Sequence, residues 1–233
     1  MRRPTSRRTP TRPRRASIDR VTVWAIVVAA GGGTRFGGAK QFERLGDARV
    51  VDHAVAAAAR SCDGVVVVVP ADREWDGGSV SGSVRGGTTR SASVRAGLDV
   101  VPESVDIVVV HDAARPLAST DLFAAVIAAV RNGADGAVPG VEVADTLKRL
   151  DGSRIVATVS REGLVAVQTP QAFRAARLRA AHRGDPDATD DAALVEAVGG
   201  EVVVVAGEVG NRKITTPEDL DLAAVLLATK MAR

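Results

Sequence analysis

A chain of 233 residues suits one α/β domain with some decoration. Apolar residues make up 45%, enough for a substantial core, but aromatics are only 3% and tyrosine is absent, so that core must be built from Val, Ala, Leu and Ile. Cys62 is the only cysteine, which excludes an intrachain disulfide and a cysteine-rich metal site and suits a reducing compartment. The net charge of +3 is unevenly placed: residues 1–20 hold eight arginines against Asp19 alone, a side-chain charge of +7, which leaves the remainder at −4.

That first segment is rich in Arg, Pro, Thr and Ser and has no apolar periodicity. It reads as a disordered tail ahead of a single domain over residues 21–233. It lacks the apolar stretch of a secretory signal, and no run of about 18 apolar residues occurs elsewhere. The expected compartment is the cytoplasm. Arginine-rich tails can touch nucleic acid or a membrane surface, but charge runs are generally solvated and the body is acidic. Neither partner is expected.

From Val21 the pattern changes. Val23 to Ala30 is a short apolar run that stops at three glycines and reads as a buried strand. Asp52 to Arg60 is alanine-rich and helical. Five valines, Val65 to Val69, precede Pro70 and form a second buried strand. Arg90 to Val100 reads as a helix. Ile107 to Val110 is a third buried strand, ending at His111-Asp112. Ser119 or Thr120 caps a helix that runs to Arg131 and stops near Gly133. Ala137 to Val141 is extended, Thr189 to Val198 helical, and Val202 to Ala206 a strand. In Thr216-Pro217-Glu218-Asp219 a cap residue, a proline at the first helical position and an acid at the third open a last helix, which runs to about Thr229. Apolar strands alternating with helices predict a Rossmann-like α/β fold, a mainly parallel twisted sheet flanked by helices. Residues 142–168 are more polar and fit the alternation badly. They read as an excursion from the sheet, a protruding hairpin arm.

In such sheets ligands bind beyond the carboxyl ends of the strands. The first such end is Ala29 to Phe42, AAGGGTRFGGAKQF. It is not a P-loop, because Ala39 separates Gly38 from Lys40 and Gln41 follows. Nor is it a dinucleotide fingerprint, because Phe36 stands three places after Gly33. What remains is a glycine loop, Ala29, Ala30, Gly31, Gly32 and Gly33, whose backbone can approach an anion closely. Arg35 and Lys40 beside it suit a triphosphate that must shed pyrophosphate. The second end is His111-Asp112. A strand-tip acid is well placed to hold Mg²⁺ against phosphate oxygens, whereas His111 reads as a buried, hydrogen-bonded residue rather than a base. Gly86-Gly87-Thr88, leading into the helix that carries Ser93, offers backbone and hydroxyl groups to a small pocket.

Together these segments resemble the sugar-nucleotide and polyol-phosphate nucleotidyltransferases, and among them the methylerythritol phosphate cytidylyltransferase family. The matching stretches are Ala-Ala-Gly-x-Gly-x-Arg with its Lys-Gln pair, Gly-Gly-x-x-Arg-x-x-Ser-Val at Gly86 to Val94, and His111 to Pro116. Ala144 to Arg149, Ser160 to Leu164 with Gln168 to Gln171, Thr189 to Asp191, and Asn211 to Thr215 complete the set. The likeness spans roughly Val23 to Leu227. It departs at Phe36, Ala39, Val165 and Gly210, where the family usually has Met, Pro, Trp and Asp.

The resemblance implies transfer of a cytidylyl group from CTP to 2-C-methyl-D-erythritol 4-phosphate, in the non-mevalonate route to isoprenoid precursors. The nearest alternative acceptor is ribitol 5-phosphate or a related polyol phosphate. It implies phosphate contacts from Arg35, Lys40 and Lys213, nucleoside recognition by Gly87, Thr88 and Ser93, and Mg²⁺ on Asp112. Whether Glu208 supplies a second metal ligand in place of Gly210, or Asp112 acts with water alone, stays open. It also implies a homodimer in which residues 142–168 cross to the other subunit, with Thr146 and Arg161 binding the acceptor's phosphate there. Arg115 and Thr169 are expected beside the acceptor, with an ion pair that fixes the loop as the alternative role for Arg115.

Overall fold

The computed structural model describes residues 20–33 and 35–231; the arginine-rich tail expected at the start lies outside the described residues, except for Arg20. The central sheet is built on three apolar strands: β1 (Val23–Val28), β4 (Gly64–Val69) and β6 (Ile107–Asp112). Between β1 and β4 the chain forms a two-stranded ribbon, β2 (Arg44–Leu45) with β3 (Ala48–Arg49), and then α1 (Val50–Ser61). Helix α1 starts earlier than composition suggests. Asp52 accepts from Arg49 N at 3.0 Å, so Asp52 lies in the first turn and Arg49 is the capping residue.

After β4 come β5 (Gly82–Arg85) and α2 (Arg90–Val100), then β6 and α3 (Thr120–Arg131). Ser119 is the cap of α3, accepting from Leu122 N at 3.0 Å. Strand β7 (Gly136–Glu142) precedes a detached antiparallel hairpin, β8 (Leu147–Asp151) with β9 (Arg154–Val159). The chain returns through β10 (Val165–Val167) and β11 (Gln171–Arg174) to α4 (Ala175–Ala181), α5 (Asp191–Ala197), β12 (Val202–Ala206) and α6 (Pro217–Met231).

Strands β5, β4, β1 and β6 are parallel neighbours. Beyond β6 the sheet turns mixed, because β11 is wedged antiparallel between β6 and β7, while β12 runs parallel to the other side of β7. The mainly parallel prediction therefore holds, with β10 and β11 as its antiparallel exceptions. Each strand shows its period of two. Val23, Ala25, Val27, Val65, Val67, Ile107 and Val109 point to one face, under α1 and α3. Ile26, Val66, Val68, Val108 and Val110 point to the other, under α2, α4 and α5. Full burial of a Val side chain contributes about 1.5–3 kcal/mol, and all five valines of β4 are at most 4% exposed. A third cluster, Leu45, Val50, Leu117, Ile214 and Ala223, ties α6 to the edge where β1 and β6 end.

Candidate active site

The parallel strands deliver their carboxyl ends to one rim, and a cavity of about 280 Å³ opens there. One wall is the loop after β1. Gly33 has φ +65°, and a Cβ on it would lie 1.8 Å from Gly38 O, so only glycine closes this turn. Its carbonyl accepts from Phe36 N, Gly37 N and Gly38 N, which holds Gly38 back against Gly33. The buried amide of Gln41 then pins the loop, donating to Ala29 O at 2.6 Å and Gly31 O at 3.0 Å. Phe36 packs into the third apolar cluster beside Leu220 and Ile214. Ala29 to Gly33, Arg35 and Lys40 all line the cavity.

The opposite wall is the turn from β5 into α2. A Cβ on Gly86 would stand 2.4 Å from the Ala30 Cβ and 2.7 Å from Ser93 Oγ, so this glycine lets the two loops meet. Gly87, Thr88 and Ser93 line the cavity. Ser93 Oγ donates to Thr89 O at 2.9 Å, which leaves its lone pairs to accept.

The floor is the tip of β6. Strand alternation sends His111 toward α3, edge-on to Phe123 at 5.1 Å, and Asp112 toward α2. Asp112 accepts from Lys213 Nζ at 2.7 Å through Oδ2 and from Arg90 Nε at 3.2 Å through Oδ1. Burial alone would raise this carboxyl; Arg90 and Lys213 outweigh it and hold the group well below the usual carboxylate range. Lys213 is set in place by its neighbour Ile214, which is 1% exposed and donates its backbone N–H to Ala114 O at 2.8 Å. The Lys40 ammonium is pushed down by burial first and then by the cations Lys213 and Arg35. Four cationic side chains thus surround a single carboxylate.

His111 is fully buried, with Nδ1 on Thr169 Oγ1 at 3.1 Å and Nε2 on Arg115 O at 3.2 Å. Burial lowers it to about 4, so it is a neutral brace at ordinary pH.

Two residues expected at the acceptor take bracing positions and do not line the cavity. Thr169 Oγ1 accepts from Asp112 N at 3.0 Å. Arg115 donates to Asn211 O at 2.8 Å and Val167 O at 3.4 Å, so carbonyl hydrogen bonds, not an ion pair, fix its loop. Thr146 and Arg161 are exposed at the base of the hairpin and do not line this cavity either. Arg161 donates to Val143 O at 3.2 Å and to Ala144 O. Glu208 is turned away from the metal question: its carboxylate accepts from Ser119 N at 3.3 Å and from Ser119 Oγ, at the start of α3.

Among the described residues no group of three His, Cys, Asp or Glu side chains could hold a metal unaided. Among the described residues, Asp112 is the one carboxylate lining the cavity. Magnesium takes one or two carboxylates with phosphates and water, and a carboxylate has about four acceptor positions. Asp112 can keep Arg90 and Lys213 and still take a metal bond, so the donor set fits Mg²⁺ held jointly with phosphate oxygens.

Three contributors lie within the matching segments, though the sequence did not single them out as site residues. Gln41 and Arg90 line the cavity, and Asp191 holds Arg90 from behind at 2.7 Å. The signal for Arg90 was its place at the head of α2, directly after the glycine pair and opposite a strand-tip acid.

Fold and site define a Rossmann-like α/β protein with a cation-lined cavity at the carboxyl ends of its parallel strands. The family model "IspD: 2-C-methyl-D-erythritol 4-phosphate cytidylyltransferase" matches residues 23–229. The enzyme of that name from Rubrobacter xylanophilus is 41% identical over 222 residues, covering 90% of this chain and 96% of its own. The one from Streptomyces coelicolor is 44% identical over 229 residues, covering 88% and 85%. The crystal structure of the Thermus thermophilus enzyme superposes with a TM-score of 0.77 at 38% identity, over 87% of this chain and 98% of that one. The chain belongs to the 2-C-methyl-D-erythritol 4-phosphate cytidylyltransferase family.

Proposed function

We propose that the cavity takes CTP and that the chain transfers its cytidylyl group to 2-C-methyl-D-erythritol 4-phosphate, releasing pyrophosphate. The observation that carries the reading is the charge of the cavity: Arg35, Lys40, Arg90 and Lys213 around Asp112, beside a glycine loop with open backbone. Such a surface carries more positive than negative charge and suits a triphosphate. The family supplies the acceptor.

An oxygen of the acceptor's phosphate attacks the α-phosphorus in line. The new P–O bond forms as the bond to the bridging oxygen breaks, and its electron pair leaves with pyrophosphate. The nucleophile is already anionic, so no general base is needed, in keeping with the burial of His111. Arg35 and Lys40 neutralise charge on the departing phosphates, and Lys213 does so at the α-phosphoryl group beside Asp112. Gly87, Thr88 and Ser93 hold the nucleoside. Asp112 would hold Mg²⁺, which would supply further charge neutralisation at the phosphates.

Two copies are proposed to pair through the hairpin. Its strands expose Leu150, Ile155 and Val156, and Thr146 and Arg161 at its base are free of their own cavity. Each copy's Thr146 and Arg161 then serve the other's acceptor phosphate. The proposed compartment is the cytoplasm, where the free thiol of Cys62 stays reduced; among the described residues no helix is long and apolar enough to cross a membrane.

A panel of phosphorylated polyols with CTP, read by pyrophosphate release, tests the assignment. Turnover is expected with 2-C-methyl-D-erythritol 4-phosphate. Turnover with ribitol 5-phosphate and none with the methylerythritol compound would move the enzyme to the other acceptor.

A further inference from the structure

Behind Asp112 the structure holds a buried chain of charge. Arg90 donates from Nε to Asp112 Oδ1 at 3.2 Å and from Nη1 to Asp191 Oδ2 at 2.7 Å. The other oxygen of Asp191 meets His182 Nε2 at 2.9 Å. An ionised carboxylate only accepts, so His182 donates from Nε2. Asp191 is 0% exposed and His182 is 5% exposed.

A fully buried carboxylate costs several kcal/mol unless it is paired, so its position calls for a reason. Helix capping is not that reason, because Asp190 already caps α5 by accepting from Ala193 N at 3.1 Å. Nor does Asp191 line the cavity. Its segment is fastened to α2 at other points: Ser91 Oγ bonds both Ala188 N, at 3.1 Å, and Ala188 O, at 3.2 Å, while Arg95 donates to Pro186 O at 2.7 Å. The turn before α5 is thereby built onto the helix that carries Arg90.

A planar guanidinium gripped through two different nitrogens cannot rotate away from either partner. Loss of the rear grip would free Arg90 to swing into the cavity, toward bound phosphate and off Asp112. We propose that Asp191, itself oriented by His182, is a positioning residue for the transfer reaction: it holds Arg90 against Asp112 and so fixes the carboxylate at the floor of the cavity. This inference rests on the cytidylyl-transfer reading above.

The test is a double-mutant cycle in the full chain. Asp191→Asn keeps shape and removes charge; it is expected to lower kcat about 10–100-fold, as loss of a supporting outer-shell partner typically does, with KM for CTP moving less than about threefold. Arg90→Ala is expected to lower it at least as far, and the double variant no further, because both substitutions cut one linkage. His182→Gln should give a smaller loss in the same direction. An activity-free readout is the Arg90 Nε–H signal in nitrogen-edited NMR, protected from exchange in the parent protein and lost in Asp191→Asn. Losses that multiply in the double variant, or a protected Arg90 signal that survives Asp191→Asn, overturn the proposal. Should Asp191→Asn fail to fold, His182→Gln is carried through the same cycle and signal with the same criteria. A parent protein that binds CTP and turns over no acceptor, or binds no CTP, overturns the cytidylyl-transfer reading and this inference with it; an active parent with multiplicative losses overturns the positioning role alone.

Discussion

Replacing Lys213 by alanine separates chemistry from stability. Its Nζ lies 2.7 Å from Asp112 Oδ2, on the cavity floor. Removing one preorganised charge donor from a transition state costs roughly 10²–10³ in kcat, about 3–4 kcal/mol. The folded state should notice much less. The Lys213 side chain is 39% exposed, so its ion pair is partly screened, and Asp112 keeps Arg90. A pair of that kind contributes about 1 kcal/mol or less, which moves the melting midpoint of a domain this size by roughly 2–4 °C. The expected result is a kcat, measured by pyrophosphate release at saturating CTP and acceptor, at least about 100-fold below the parent, with melting nearly unchanged. A variant within about threefold of the parent removes Lys213 from the mechanism. A melting midpoint that collapses along with activity shows instead that the lysine holds the fold.

Other perturbations reach different parts of the reasoning. Gly33→Ala forces a side chain into a φ of +65° and against Gly38 O, so the loop must open; turnover should fall about 100-fold, as expected of misplaced groups, with only a few degrees lost in melting. Retention of full activity would show that the loop's shape is immaterial. His111 links stability to pH. Its folded value of about 4 lies below the unfolded one near 6.5, so the unfolded chain binds the extra proton and stability falls as pH drops from about 6.5 through 4. The full shift amounts to about 3 kcal/mol. Urea titrations of the parent and His111→Asn should show that slope shrinking in the variant; equal slopes would assign it to other groups. Mixing Lys213→Ala with Arg161→Ala protein tests the shared site: each alone should be nearly inactive, and mixed dimers should recover up to about a quarter of the parent rate per chain, from one intact site in the half of dimers that are mixed. No recovery after subunit exchange would place Arg161 in its own subunit's site.

Much of this was readable in one dimension. The strands β1, β4 and β6 announce themselves because each is buried on both faces and so is apolar throughout. Ser119 declared the start of α3 through a capping hydroxyl, and the last helix began at Pro217 as its sequence required, where Asp219, the acid at the third position, reaches back to Thr215 N and Thr216 N at 2.9 and 3.0 Å. The glycine loop and Asp112 stood out because special backbone and a strand-tip acid are local signals. Strands β5 and β11, each only four residues, carried no such pattern. Their strand character comes from open hydrogen-bonding edges on neighbours that are distant in sequence.

The sequence by itself determined the layers of this protein, the places where its strands end and the residues that gather at those ends, because period and turn chemistry are properties of short segments. Tertiary structure alone decided what those residues touch. Lys213 reaches Asp112, and Arg90 reaches Asp191, across 101 residues of chain. It turned Thr169 and Arg115 into braces, sent Glu208 to Ser119, and made Arg90, which the sequence shows only as the arginine of a glycine-led motif, the centre of a largely buried clamp. Partners of this kind are chosen by the order of strands in the sheet. A charge carries no mark in the sequence of which opposite charge the folding of that sheet will set beside it.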